Sequence, residues 1–251
     1  MRALEFTKMQ GLGNDFVVIE GPASLSGEEI TALCDRRFGV GADGVLVVTR
    51  ADPVGMEYWN ADGSPAQMCG NGLRCVARYA YDKGWAVDRN FIVDTAVGAR
   101  AVRVLEDRIE VELGRPSMIG HTVIDEERFH LVDVGNPHAV VLVEDPATAQ
   151  VEVVGPRVET DPQFTQGTNV EFIAVDDGGV NMRVWERGVG ETMACGTGMV
   201  AAAFVATKTH ELTGPVSVRA PGGSAQVELR DGVAWLRGPA EYSFRGSVGE
   251  R

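Results

Sequence analysis

The sequence predicts an α+β (α/β-type) protein made of two similar halves, and three observations carry that reading. The tetrapeptide Cys-Gly-x-Gly occurs twice, at Cys69-Gly-Asn-Gly72 and Cys195-Gly-Thr-Gly198, 126 residues apart, each time opening an apolar helical stretch. A Gly-Asn turn, Gly13-Asn14 before DFVVIE and Gly135-Asn136 before HAVVLV, recurs at an offset of 122. Most of the remaining chain is short β-branched or alternating runs bounded by turn residues, the signature of strands. Gly-Asn turns are common singly, but two motifs in one order at nearly one offset point to internal pseudo-symmetry.

The elements follow in order. LEFTKM and DFVVIE are strands joined by the turn Gly11-Leu-Gly-Asn14. Ser26 with Glu29 three residues on is a capping box, predicting a helix to about Arg36. GVLVV and MEYWN are strands, followed by the turn-rich loop from Asn60 to Gly72. From Asn71 to Lys83, Leu73, Val76, Ala77 and Ala80 recur at helical spacing, and Gly84 stops the helix. FIVDT, ARAVRVLE and RIEVEL are strands. Arg115-Pro-Ser-Met-Ile-Gly120 marks a boundary, which assigns 1–117 to a first half and 118–240 to a second, with a last strand at about 241–251 returning to the first. Beyond the boundary come the strands FHLVDV and HAVVLV, a short helix near Asp145–Gln150, the strands NVEFIAV and NMRVWER, an apolar helix Gly196–Thr209, and four closing strands that include VSVRA and AQVELR.

Composition narrows the function. The 251 residues include 36 acidic and 23 basic side chains, a net charge of −13, with no Lys/Arg cluster. Nucleic acid and anionic membranes are therefore poor partners. The longest apolar run, Met199–Ala206, is far short of the roughly 20 residues of a membrane-spanning helix, and MRALEFTKMQ has no long apolar core of a signal peptide. Four cysteines are too sparse for a disulfide scaffold, so a reduced, cytoplasmic chain is expected. Cys34 and Cys75 fall inside helices and read as core. Cys69 and Cys75 lack zinc spacing, and His121, His130, His138 and His210 show no paired spacing. No metal is expected.

Cys69 and Cys195 carry the chemistry. A cysteine just before a helix sits among unpaired backbone N–H groups at the positive end of the dipole. Both effects favour thiolate and are expected to draw the pKa from about 8.5 toward neutrality. The same N–H groups form an anion cradle. A carboxylate held there, with one sulfur on each face of its α-carbon, describes proton exchange at a stereocentre: one thiolate removes the α-proton and the other thiol delivers a proton to the opposite face. Because the reverse reaction exchanges the two roles, two residues of one type suit it.

The motifs KMQGLGNDF, WNADGSPAQMCGNGLRC, VGNPHAV, GTNVEF and WERGVGETMACGTG, in order from Lys8 to Met199, together resemble the diaminopimelate epimerase family. The resemblance implies two similar domains, each a sheet or barrel of strands wrapped around a central helix. It also implies a pyridoxal-phosphate-independent isomerase without a cofactor. That activity interconverts LL- and meso-2,6-diaminopimelate on the route to lysine and the peptidoglycan cross-link. By position, Cys69 and Cys195 become the catalytic pair. Gly70, Asn71, Gly196 and Thr197 cradle the α-carboxylate. Asn14, Asn60, Asn136, Asn169, Glu186 and Arg187 bind substrate, and His138 and Glu186 tune the thiols. The partner is a small diamino dicarboxylate, and the family's habit implies a homodimer. Gly44 stands where some members have Gln, and Ala139 where many have Cys.

The residues read directly are compatible with this. Asn14, Asn60, Asn71, Asn136 and Asn169 all lie in turns; each alone is an ordinary turn residue, but together they offer neutral donors and acceptors to a zwitterion. Arg187 could hold a second carboxylate in bidentate fashion. A pyridoxal enzyme would need a Schiff-base lysine; Lys83 and Lys208 lie near helix ends, and Lys8 stays open. The main alternative is a proline racemase-like enzyme, which shares the paired cysteines but usually carries His where this chain has Asn71, and whose ligand leaves Arg187 and Asn60 without a role. A thiol redox protein would want C-x-x-C or a resolving cysteine, and a non-catalytic amino-acid binder would not need two sulfurs.

Overall fold

A computed structural model describes residues 3–66, 68–176 and 178–249. The chain divides into two compact units. One reaches Val111 and is completed by the segment from Gly238 onwards; the other is Glu112–Arg237.

The first unit begins with β1 (Leu4–Gly11) and β2 (Asn14–Gly21), an antiparallel hairpin in which Gly11 stands opposite Asn14. Its two linking residues, Leu12 and Gly13, adopt φ of 58° and 81°, and the left-handed demand falls most cheaply on glycine. After α1 (Gly27–Cys34), β3 (Gly44–Thr49) runs parallel to β2 with Phe16 opposite Gly44. Next, β4 (Val54–Asn60) returns antiparallel with Gly44 opposite Asn60, and the short β5 (Pro65–Ala66) pairs back onto β4. Then α2 (Gly70–Asp82) leads to β6 (Asn90–Thr95), parallel to β4, and antiparallel β7 (Gly98–Val104) and β8 (Ile109–Glu112) follow. Strands β1, β2, β3, β4 and β7 all pack against α2, whose Leu73, Cys75, Val76, Ala77 and Ala80 are wholly buried.

The second unit repeats this plan. β9 (Ser117–Ile124), β10 (Glu127–Asp133) and β11 (Pro137–Leu142) are antiparallel in turn. After α3 (Val151–Glu159), β12 (Asn169–Asp176) lies parallel to β11 with His138 opposite Asn169. β13 (Gly179–Glu186) returns antiparallel and carries the short β14 (Gly190–Thr192). Then α4 (Gly196–Thr209) leads to β15 (Val216–Ala220), parallel to β13, and antiparallel β16 (Gly223–Arg230) and β17 (Val233–Gly238) follow. The helix α4 is buried from Gly198 to Ala203 among β10, β11, β12, β13, β15 and β16, as an all-apolar helix must be. The last strand, β18 (Glu241–Val248), pairs antiparallel with β1, Leu4 opposite Val248, as β9 does with β10. Each unit is thus strands around one central helix that starts at a cysteine.

Three elements depart from the sequence reading. The segment Asp145–Gln150 holds only one 3₁₀ turn, Pro146–Thr148, and the true helix is the following α3. VEVVGPRVE is β-branched and contains Gly-Pro, so its local signal is against helix. Packing overrides it: Val151 and Val158 join Phe129, Val170 and Phe172 in the unit's core. The strand β9 lies where only a boundary was read. Its residues are mostly exposed, and its ladder with β10 rather than an apolar face holds it. α1 ends at Cys34, short of Arg36, because Asp35 turns the chain by accepting from the Arg37 and Phe38 amides. No helix among the described residues is long and apolar enough to cross a membrane.

Candidate active site

In the first unit the site grows from the start of α2. Cys69 is the N-cap, in extended conformation, and its Sγ accepts from Gly72 N–H at 3.3 Å. The glycine pattern has a steric reason, since a Cβ on Gly72 would come within 3.0 Å of Leu46 Cδ2. Asn14, from the β1–β2 turn, reaches the same point. Its Oδ1 accepts from the Cys69 thiol at 3.6 Å and from Asn71 Nδ2 at 3.3 Å. Asp43 holds Asn14 in turn, accepting from its Nδ2 at 2.8 Å and from Asp15 N–H at 3.0 Å. Behind them Asp15 meets Lys8 Nζ at 2.6 Å and Arg36 Nη2 at 2.8 Å. Burial opposes ionisation of Asp15, but Arg36 and Lys8 outweigh it and bring its pKa down to about 2. Lys8, buried and also donating to the Gly41 carbonyl, is committed to this network.

Asn60 closes β4 and anchors the loop before Cys69, donating to Ser64 Oγ at 3.1 Å. Gly70 and Asn71 form the first turn of α2 and are both buried. Arg74 lies wholly buried one turn further on. Its Nε donates to the Pro239 carbonyl at 2.9 Å, while Nη1 and Nη2 have no hydrogen-bond partner among the described residues. Burial brings its pKa down to about 10, and the Cys75 and Cys69 sulfurs counter that pull. Burial pushes Cys75 up to about 12 and Cys34 up to about 11, as expected of inert core thiols.

The second unit presents the repeat-related arrangement. Cys195 is the N-cap of α4 and accepts from Gly198 N–H at 3.4 Å. Thr197 Oγ1 lies 3.5 Å from its Sγ and accepts from Asn136 Nδ2 at 3.3 Å. Asn136 Oδ1 faces His138 Nε2 at 3.0 Å, and His138 Nδ1 faces Glu171 Oε1 at 2.6 Å. Glu186 accepts from the Thr192 hydroxyl. Burial pushes the Glu186 carboxyl up, against Thr192 and Cys195 as hydrogen-bond partners. Asn169 acts on backbone: its Nδ2 donates to the Pro137 carbonyl at 2.9 Å and its Oδ1 accepts from Arg187 N–H at 3.0 Å. The Arg187 side chain is exposed, with Nη1 donating to the Gln166 carbonyl at 3.1 Å.

The expectation that a helix start lowers both thiols fails at Cys195. Burial and the Glu186 and Glu171 carboxylates push its pKa up, and the Thr197 hydroxyl and Gly198 amide offset only part of that. Three further residues escaped the sequence reading: Asp43, Arg74 and Glu171. Arg74 and Glu171 lie inside quoted motifs and Asp43 adjoins Gly44, but only the fold shows that Asp43 holds Asn14 and that Glu171 comes under the start of α4.

Fold and site together define a class: a two-repeat protein with one N-capping cysteine per repeat. Solved structures share the architecture. A phenazine biosynthesis protein of the PhzF family from Bacillus anthracis superposes with TM-score 0.75 at 15% identity over 100% of both chains. A predicted epimerase from Pseudomonas aeruginosa does so with TM-score 0.76 at 13% identity, over 99% of this chain and 100% of that one. A hydroxyproline epimerase from Agrobacterium vitis gives 0.73 at 16%, over 98% and 92%. At such identities these show the fold alone. Sequence goes further: the family model described as diaminopimelate epimerase matches residues 6–119 and 130–242. The diaminopimelate epimerase of Moorella thermoacetica is 40% identical over 97% of this chain and 98% of its own, and that of Acinetobacter baumannii 38% over 98% and 97%. The chain belongs to the diaminopimelate epimerase family.

Proposed function

We propose that Cys69 and Cys195 perform the family's reaction, the interconversion of LL- and meso-2,6-diaminopimelate, as base and acid on opposite faces of one α-carbon. The observation that carries this reading is the pair of repeat-related cysteines, each an N-cap whose sulfur accepts from the glycine N–H three residues on. The thiolate takes the α-proton, and the thiol gives its own proton to the other face. One proton leaves the substrate and one enters, so no net oxidation occurs and the two sulfurs end with exchanged roles. The α-carboxylate is held at the helix starts Gly70-Asn71 and Gly196-Thr197, whose N–H groups and dipoles stabilise charge as it develops at the α-carbon. Asn14, Asn60 and Asn136 supply neutral polar contacts. Glu186 and His138 tune the thiol chemistry, and Arg187 takes the distal carboxylate. Asn169 shapes the site by clamping the Pro137 and Arg187 backbones.

This reading favours the diamino dicarboxylate over a proline racemase-like ligand, since Arg187 and Asn60 would otherwise lack a role. It also requires a reducing compartment, the cytoplasm, because oxidised thiols cannot exchange protons. Incubation with LL-diaminopimelate in D₂O should place one deuterium at an α-carbon of the meso product, and proline should gain none. Deuterium in proline, or epimerisation without solvent deuterium, would defeat the assignment.

A further inference from the structure

The two repeats differ beneath their cysteines. In the ladders, Phe16 stands opposite Gly44, two residues before Leu46, and His138 stands opposite Asn169, two residues before Glu171. The helices confirm the equivalence. The Cβ that would meet Leu46 when built on Gly72 would, built on Gly198, lie 2.8 Å from Glu171 Oε1. Where Leu46 lies under the start of the Cys69 helix, Glu171 lies under that of the Cys195 helix, and His138 takes the ladder position of Phe16.

That substitution is costly. Glu171 is 0% exposed and His138 1%, and Glu171 Oε2 has no hydrogen-bond partner among the described residues. Burying a carboxylate with one oxygen unsatisfied works against stability. The fold does not require it, since Leu46 fills the repeat-related place. What the pair does is order a chain of contacts. Glu171 Oε1 faces His138 Nδ1, which fixes the ring and turns Nε2 to Asn136 Oδ1. Asn136 holds Thr197, and Thr197 lies against Cys195 Sγ.

We propose that Glu171 is a positioning residue that, acting through His138, makes Cys195 the thiol of the pair that carries the proton in the resting enzyme. The inference rests on the two-thiol reading above and assigns its starting state. The groups facing Cys195 are Glu186 from β13, Glu171 from β12 and, behind Asn136, His138 from β11. Both carboxylates oppose a thiolate there, which agrees with the upward push on Cys195.

The test is iodoacetamide alkylation of the full chain across pH, with each cysteine followed by peptide mass spectrometry. In the unaltered protein Cys195 should respond at higher pH than Cys69. Glu171→Gln, which keeps shape and removes charge, should speed Cys195 alkylation about tenfold near pH 8, leave Cys69 unchanged and lower kcat more than it changes KM. Glu171→Asp should keep Cys195 protected. A Cys195 profile that Glu171→Gln does not move, or that coincides with that of Cys69 in the unaltered protein, overturns the proposal. Should the variants not fold, ¹⁵N imidazole spectra of the unaltered protein decide: His138 with its proton on Nδ1 supports it, and an Nε2–H-only ring overturns it. Deuterium exchange reads the two-thiol reaction separately. Exchange without an alkylation difference sinks only this inference, and a difference without exchange sinks only the parent reading.

Discussion

At Arg187 the protein places a guanidinium in solvent, one residue beyond the half-buried Glu186, with its backbone fixed by Asn169 at 3.0 Å. A planar fork on a fixed backbone suits a second carboxylate, and losing such a charge-assisted pair costs about 2–5 kcal/mol once it is desolvated. Arg187→Ala should therefore lower kcat/KM for diaminopimelate by about thirtyfold or more. Arg187→Lys should be nearly as damaging because it lacks the fork. A loss within threefold would remove Arg187 from the substrate. A second residue acts on stability. The Asp15 pKa lies at about 2 against an ordinary 3.8, so its stabilisation is present above the unfolded value near 3.8 and is lost as pH falls through about 2. The difference corresponds to about 2 kcal/mol. Asp15→Asn should cost that much in urea titrations at pH 7 and almost nothing near pH 2; an equal loss at both would show that the ion pairs with Lys8 and Arg36 are not its source.

At the scale of elements, the two helices that begin at Cys69 and Cys195 were the legible ones. Cys69 and Cys195 are followed by glycines and then by apolar residues at helical spacing, so local signal and tertiary role agree at α2 and α4. α3 was illegible because they disagree. Val153, Val154 and Gly155-Pro156 speak against a helix, and only contact with the sheet decides for one. Gly155 shows how tight that contact is, since a Cβ there would lie 2.5 Å from Trp185 Cγ. Gly155→Ala removes a helix-disfavouring residue, yet overpacking costs about 1–3 kcal/mol against the roughly 1 kcal/mol that helix propensity returns. The expected outcome is a lower melting temperature by calorimetry. A rise would show that Trp185 yields and that propensity dominates. The same logic hid Glu171, because NVEFIAV announces a buried strand and nothing local marks its glutamate as facing a helix start.

For the whole molecule, the repeat was visible from two tetrapeptides and the recurring Gly-Asn turn, and the ladder register then extends it to Phe16 with His138. What the repeat cannot reveal is where the halves diverge, and the proposed chemistry turns on that divergence, since a symmetric pair of thiols has no reason to hold one proton between them in a preferred place. The two-base reaction makes that asymmetry measurable. Cys69→Ser and Cys195→Ser should each abolish full epimerisation, because a serine hydroxyl is far too weak an acid or base near neutral pH. Each variant still keeps one thiol on one face of the α-carbon. It should retain slow exchange of the α-proton of a single stereoisomer with D₂O, and the two variants should choose opposite stereoisomers, read by proton NMR of separate LL and meso samples. If both variants exchange both stereoisomers equally, one base serves both faces and the pairing of Cys69 with Cys195 is wrong. Full activity in the double variant would remove both sulfurs from the reaction.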